Sequence, residues 1–162
     1  KNEVNPSFDY IDKKTTISEA QHIINNCPKP KRKAIKSISL PGPTGESNIL
    51  TTYPKGVILC LGPSIAQAKI QEKTVNASGS IACIILGLDL DLLSKLENFS
   101  AVILWSKVND VRKARKALAN RKGNIIPIVT DISSLDHLKI ERHVCIDTTA
   151  AGGNVELLVN SN

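Results

Sequence analysis

The sequence predicts an α/β domain built on a parallel sheet with helices on both faces. Two observations carry that reading. Five short apolar runs recur at intervals of about 18 to 25 residues, and within them polar and apolar residues do not alternate, the pattern of strands buried on both faces. The stretches between them are long enough for crossover helices, and one, near 108–122, carries a clear apolar stripe at 3.6-residue spacing. Strand and helix alternating in this way imply parallel pairing.

Taken in order, residues 1–15 are polar and without a clear period. Thr16-Ile17-Ser18-Glu19 reads as a capping box, with Thr16 capping and Glu19 reaching back, and opens a short helix to about Asn26. Cys27-Pro28 and Pro30 stop it, and Lys31 to Lys36 is a solvated basic stretch. Residues 35–53 are expected to be extended, with Pro41-Gly42-Pro43-Thr44-Gly45 forcing a loop, so they form an arm or flap outside the core. Gly56 to Gly62 is the first apolar run, and Ser64 with Gln67 reads as a capping-box pair after Pro63. Ile81 to Gly87 and Ala101 to Trp105 are the next two runs. In the helix that follows, Val111, Ala114, Ala117 and Leu118 share one face, and Arg112, Lys113, Arg115 and Lys116 the other, which reads as solvated. Gly123 is the expected C-cap, with Arg121 and Lys122 in the favourable last turn. Pro127 inside the run Asn124 to Val129 places that strand at an edge or at a bulge. His143 to Asp147 is the last run, and a small glycine-rich tail follows it.

Composition bounds the function. A chain of 162 residues suits one domain, or one domain with an extended arm. At 41% hydrophobic residues it can bury a core, and at 3% aromatic residues that core must be Ile, Leu, Val and Ala. No apolar run approaches the roughly 18 to 20 residues of a membrane span, and no signal peptide opens the chain. Methionine is absent, so the chain is expected to be a piece of a longer protein. The four cysteines, Cys27, Cys60, Cys83 and Cys145, show no Cys-x-x-Cys spacing; a zinc site or disulfide framework is not expected, and buried thiols in a reducing cytoplasm are. The net charge of +6 raises nucleic acid as a partner, but the clusters Lys29 to Lys36 and Arg112 to Lys122 carry no interleaved aromatics or recognition motif, so nucleic-acid binding is not expected.

Strand C-termini and helix N-termini of a parallel sheet invite a nucleotide. The loops Gly62-Pro63-Ser64, Gly87-Leu88-Asp89 and Ser106-Lys107-Val108 hold at most one glycine each, and none is a Gly-x-Gly-x-x-Gly or Walker loop. Asp89 has the chemistry to hold a ribose, or simply to cap a helix. His143 and Cys145 would share one face of a strand, where packing is expected ahead of catalysis. Cys60 lies among apolar residues that should raise its pKa and leave it inert. The tail at Asp147 to Leu157 has three readings: an anion nest, a loose terminus, or a strip that docks on a partner surface, with docking ranked first.

Three segments resemble the C-terminal domain of the bacterial proline utilisation A proteins, which join proline dehydrogenase to glutamate-semialdehyde (pyrroline-carboxylate) dehydrogenase. They are Leu40-Pro41-Gly42-Pro43-Thr44-Gly45-Glu46, the strand from Pro54 to Leu61, and Thr148-Thr149-Ala150-Ala151-Gly152-Gly153-Asn154, which resembles the family's terminal motif. The likeness spans roughly residues 35 to 158. It implies a Rossmann-like sheet that is a degenerate relative of the aldehyde dehydrogenase cofactor domain. Where active aldehyde dehydrogenases carry a Trp-Asn-Phe-Pro loop, this chain has Gly62-Pro63-Ser64-Ile65; their Gly-Ser-Thr phosphate loop is replaced by Trp105-Ser106-Lys107-Val108, and their Glu-x-Gly-Gly stretch by Thr130-Asp131-Ile132.

The resemblance therefore implies a bacterial, cytoplasmic, non-catalytic segment with no catalytic, cofactor or metal residue of its own, while the parent protein uses FAD and NAD. The implied division is a linker and short helix at 1–34, an extended flap at 35–55, the Rossmann-like domain at 56–147 and a docking motif at 148–162. The flap motif is Pro41, Gly42, Pro43, Thr44, Gly45 and Glu46; the docking or channel-lid motif is Thr148, Thr149, Ala150, Ala151, Gly152, Gly153 and Asn154. The implied partner is the aldehyde dehydrogenase module of the same polypeptide, with a second subunit as the other candidate surface. The alternative is a dehydrogenase domain with NAD at the C-terminal edge of the sheet.

Overall fold

The computed structural model describes residues 14–29, 31, 33–131 and 135–147. In chain order the elements are α1 (Ile17–Asn25), β1 (Lys36–Leu40), β2 (Glu46–Pro54), β3 (Val57–Cys60), α2 (Ile65–Ala77), β4 (Ile81–Ile84), β5 (Ala101–Ile103), α3 (Val108–Ala119), β6 (Ile128–Val129) and β7 (Lys139–Asp147), with 3-10 turns at Leu90–Ser94 and Leu135–Leu138. They fall into two units: the described residues of 14–31 with 54–139, and those of 33–53 with 140–147.

The first unit is the expected α/β sheet. Its strand order is β4-β3-β5-β6, and every pairing is parallel. The absence of alternation in the apolar runs has a direct cause: alternate residues enter two separate cores. Leu59, paired with Cys83 and Val102, faces one side with Leu61 and Leu104, against Ala20 and Ile24 of α1 and Ala114, Ala117 and Leu118 of α3. Ile58, Cys60, Ala101 and Ile103 face the other, against Val75 of α2 and Leu138. A strand wet on neither face has no position for a polar side chain.

The helices begin much as their capping residues predict. At α1, Thr16 N–H donates to Glu19 Oε2 (2.8 Å) and Glu19 N–H to Thr16 Oγ1 (3.3 Å), the reciprocal box. Thr15 N–H donates to the Gly87 carbonyl (3.0 Å), making one parallel bridge beside the end of β4. At α2 only half of the expected box forms. Ser64 Oγ accepts from Gln67 N–H (3.3 Å), but Gln67 Oε1 is buried without a partner. The stripe Ala114, Ala117 and Leu118 of α3 is buried and its basic face is exposed, as expected.

Three expectations need correction. Gly123 is not the C-cap of α3: the helix ends at Ala119, Asn120 caps it, and Gly123 lies beyond with φ of +97°. Arg121 and Lys122 therefore lie past the last turn, and Arg121 has another task. Its Nη1 donates to the carbonyls of Leu93 (3.0 Å) and Leu96, and the guanidinium lies 4.7 Å from the Phe99 ring centroid. Pro127 does lie at the sheet edge, but just outside β6, whose two residues follow it.

The largest correction concerns the last apolar run, which does not join the parallel sheet. The second unit is a three-stranded sheet, β1-β2-β7. Its β1 and β2 are antiparallel, from Lys36 opposite Thr52 to Leu40 opposite Asn48, and Pro41 to Gly45 turn the chain between them, with Glu46 N–H donating to the Pro43 carbonyl (3.1 Å). In β7, Ile140, Arg142, Val144 and Ile146 fall on one side and Glu141, His143, Cys145 and Asp147 on the other, and all eight are exposed.

The two-sided burial makes a direct prediction. Replacing fully buried Ile58 by Ala should destabilise the chain by about 2–5 kcal/mol in a denaturant titration. A loss below 1 kcal/mol would show that the second core is not packed as described.

Candidate functional site

The order β4-β3-β5-β6 reverses direction at β3, so the C-terminal ends of β3 and β5 form the switch point where open α/β sheets bind ligands. Here those ends are tied down by the chain itself. Gly62 N–H, just past β3, donates to Oε1 of the fully buried Gln71 on α2 (2.9 Å). A Cβ at Gly62 would stand 2.8 Å from both Ala68 N and Ser64 O, so the turn fits closely against α2. Past β5, Ser106 Oγ donates to the Asp110 carboxylate in the first turn of α3. A phosphate approaching that helix N-terminus would meet a negative charge.

Asp89 is engaged in the same way. It caps the turn Leu90–Ser94 by accepting from Asp91 N–H (3.2 Å), and Lys113 Nζ lies 2.6 Å from Asp89 Oδ1 and 3.1 Å from Asp91 Oδ2. The hydrogen bond from Lys113 holds the Asp89 carboxyl below the usual carboxylate range, and the two acids hold Lys113 above its ordinary value. Among the described residues four buried polar atoms stay without a partner: Gln67 Oε1 and Gln71 Nε2 of α2, Trp105 Nε1 just after β5, and Arg121 Nε past α3.

The thiols sort by environment. Burial pushes the Cys60 thiol up to about 12 and raises Cys83 further, so neither is a ready nucleophile near neutral pH. Cys145, expected to pack, is exposed, because β7 is exposed along its length from Ile140 to Asp147. His143 and Cys145 do share that face, but His143 Nε2 contacts Asn48 Oδ1 (3.1 Å). Among the described residues no group of three or more His, Cys, Asp and Glu side chains could hold a metal.

The flap motif has a defined local structure. Asn48 is buried, donates from Nδ2 to Glu46 Oε2 (3.0 Å) and meets His143 through Oδ1. Gly42 lies against this pair: a Cβ there would stand 2.5 Å from Asn48 Nδ2 and 3.2 Å from Glu46 Oε2. Gly45 takes φ of +93°, the left-handed region that favours glycine. The sequence reading missed Asn48, Gln71 and Arg121. Gln71 alone left a signal, a polar residue on the same helical face as Ala68 and Val75. Thr148, Thr149, Ala150, Ala151, Gly152, Gly153 and Asn154 lie outside the described residues.

No protein-family model matches the chain. It is 32% identical over 143 residues to the bifunctional protein PutA of Escherichia coli strain K12, covering 74% of this chain and 11% of that protein. It is likewise 32% identical over 146 residues to the bifunctional protein PutA of Salmonella typhimurium, with the same coverage. The chain thus spans about a tenth of the length of the curated relatives it matches. Among solved structures, a proline utilization A from Bradyrhizobium japonicum gives a TM-score of 0.47 at 20% identity, covering 57% of this chain and 13% of that one. A gamma-glutamyl phosphate reductase from Saccharomyces cerevisiae gives 0.32 at 15% identity, covering 71% and 37%. The resemblance read from the sequence motifs is borne out by the curated relatives.

The Gly42 contact is testable. Gly42→Ala should displace Asn48, lowering stability by about 1–2 kcal/mol and shifting the His143 imidazole signals in NMR. Unchanged His143 signals would show that Asn48 keeps its place.

Proposed function

We propose that this chain, which is related to a section of the bifunctional PutA proteins, is a non-catalytic C-terminal domain of a proline-catabolic enzyme. In this reading the parent converts proline to glutamate in the cytoplasm with FAD and NAD, and this domain needs neither. It packs on the aldehyde dehydrogenase module of the same polypeptide. Residues 1–34 connect to that module, 35–55 form the flap, 56–147 descend from an aldehyde dehydrogenase cofactor domain, and 148–162 dock. The tail from Thr148 to Asn154 helps to close the passage through which the intermediate moves. A wall that excludes bulk water limits escape and side reactions of a reactive aldehyde.

The observation that carries the proposal is the state of the sheet's C-terminal edge. Gly62 N–H is taken by Gln71, Ser106 is taken by Asp110 at the N-terminus of α3, and Asp89 is taken by Lys113. Groups that would receive a dinucleotide are instead engaged within the domain, which supports a supporting role over a catalytic one. Among the described residues no helix is long and apolar enough to cross a membrane.

Removing Thr148 to Asn162 from the full-length parent is expected to slow the coupled conversion of proline to glutamate more than proline oxidation alone. Equal coupled rates for the truncated and intact enzymes would refute the lid.

A second reading, a domain that binds NAD at the sheet's C-terminal edge, draws on the unpartnered Gln67 Oε1, Gln71 Nε2 and Trp105 Nε1. Calorimetric titration of the chain with NAD separates the two. No heat at micromolar concentrations is expected. Stoichiometric binding that is lost on Gln71→Leu would establish the second reading instead.

A further inference from the structure

We propose that the open edge of the parallel sheet at β6 is a docking site for an extended segment of a partner protein. The segment adds as a further strand and carries an apolar and an acidic side chain two residues apart.

The two edges of this sheet are finished differently. β4 and β6 are its outer strands. At β4, Ile81 N–H and Ile85 N–H donate inward, to the carbonyls of Gly56 and Cys60, so Ala82 and the residues that alternate with it face outward. The domain caps those outward groups itself. Ala82 N–H donates to Asn76 Oδ1 of α2 (3.4 Å), Thr15 Oγ1 donates to the Leu86 carbonyl, and Thr15 N–H donates to the Gly87 carbonyl (3.0 Å). Covering an edge in this way keeps it from pairing with another chain.

Among the described residues no such cap stands on β6. Pro127 and Val129 turn their carbonyls inward, to Val102 N–H (3.0 Å) and Leu104 N–H (3.0 Å). Ile128 lies between them, opposite Val102 in the register, and so points its own N–H and carbonyl outward. A proline often guards an edge because it offers no N–H. Here the Pro127 ring nitrogen lies on the inner side with its carbonyl, and Ile128 is left able to donate and accept.

A cleft of about 460 Å³ lies beside this edge, between Ile126 and Ile128 and the C-terminal half of α3. Leu118 and the two isoleucines make its apolar part, and Ile125, 94% accessible, lines it too. Arg115 and Arg121 line the same cleft, and among the described residues neither is in an ion pair. Arg121 Nε is buried without a partner.

These features select the occupant. A strand laid along Ile128 turns alternate side chains toward the cleft, so one fills the apolar part and the next but one meets a guanidinium. The C-terminus of α3 carries about half a negative charge, which opposes an anion, but two guanidinium charges outweigh it. A purely apolar or basic segment would leave both charges without a counter-ion.

The test titrates the isotope-labelled full chain with a capped nonapeptide that has Thr at odd positions and Val and Glu alternating between them. Saturable binding is expected, with slower hydrogen exchange at the Ile128 amide. The same peptide with Lys in place of Glu should bind at least about tenfold more weakly. Arg115→Glu, a change at an exposed residue, should weaken binding of the Glu peptide by about three- to tenfold. Ile125→Asp should weaken it as well, without a change in Tm. No binding at millimolar peptide, equal binding of the Lys peptide, or binding that leaves the Ile128 amide unprotected would overturn the proposal. So would a concentration-dependent dimer of the chain alone that protects Ile128, which would assign the edge to a second copy.

Discussion

Burial of β3 on both faces is the constraint on which the rest depends. All four of its residues are buried, it lies between β4 and β5, and its alternate side chains supply two cores. Such a strand is stable only when each face is covered, so α1 and α3 on one side and α2 on the other are requirements of the same sequence pattern. With few aromatics in the chain, the cover is made by small and branched residues: Ala20, Ala114 and Ala117 let the helices approach, and Ile and Leu from the strands fill the layer.

The same burial decides what happens where strands end. Backbone groups at the rim of a two-sided core cannot rely on water, so each needs a partner from the chain. Gln71 answers Gly62, Arg121 answers the carbonyls of Leu93 and Leu96, and Ser80 answers Lys55 and Leu138. These partners share an origin: each is a polar side chain placed next to a core to close its rim. Here Gln71 accepts from Gly62 N–H and Asp110 from the Ser106 hydroxyl.

How much was legible in the sequence follows from which effects are local. Capping by Thr16 and Glu19 is decided within four residues, and it formed as the sequence says. The four parallel strands were legible because burial on both faces leaves an uninterrupted apolar run. The run at His143 was misassigned because Val144-Cys145-Ile146 reads as an apolar run, while the polar Glu141-Arg142-His143 before it, like the whole of β7 from Ile140, is exposed. Gly123 failed as a C-cap because the helix ends at Ala119 with Asn120 as its cap, three residues before the glycine. Arg121 and Asn48 were illegible because their partners, Leu93 and His143, are distant in sequence, and Gln71, though polar on a buried helix face, has a partner, Gly62, known only once the turn is folded.

The contact between Asn48 and His143 joins residues 95 positions apart, an expensive loop to close directly. Hydrogen bonds at the strand ends shorten it. Lys55 N–H donates to the Leu138 carbonyl (3.2 Å) and to Ser80 Oγ (3.1 Å), and Ser80 Oγ donates to the same carbonyl (3.0 Å). Lys55 directly follows β2 and Leu138 directly precedes β7, so this one cluster brings the exit of one strand to the entrance of the other. Once it forms, the loop left to close is only about a dozen residues, which lowers the entropic cost by about 2 kcal/mol. The pairing of β2 with β7 then closes a short loop. That accounts for a strand with exposed Val144 and Ile146, each 53% accessible, lying in a three-stranded sheet that its own apolar burial would hold only weakly.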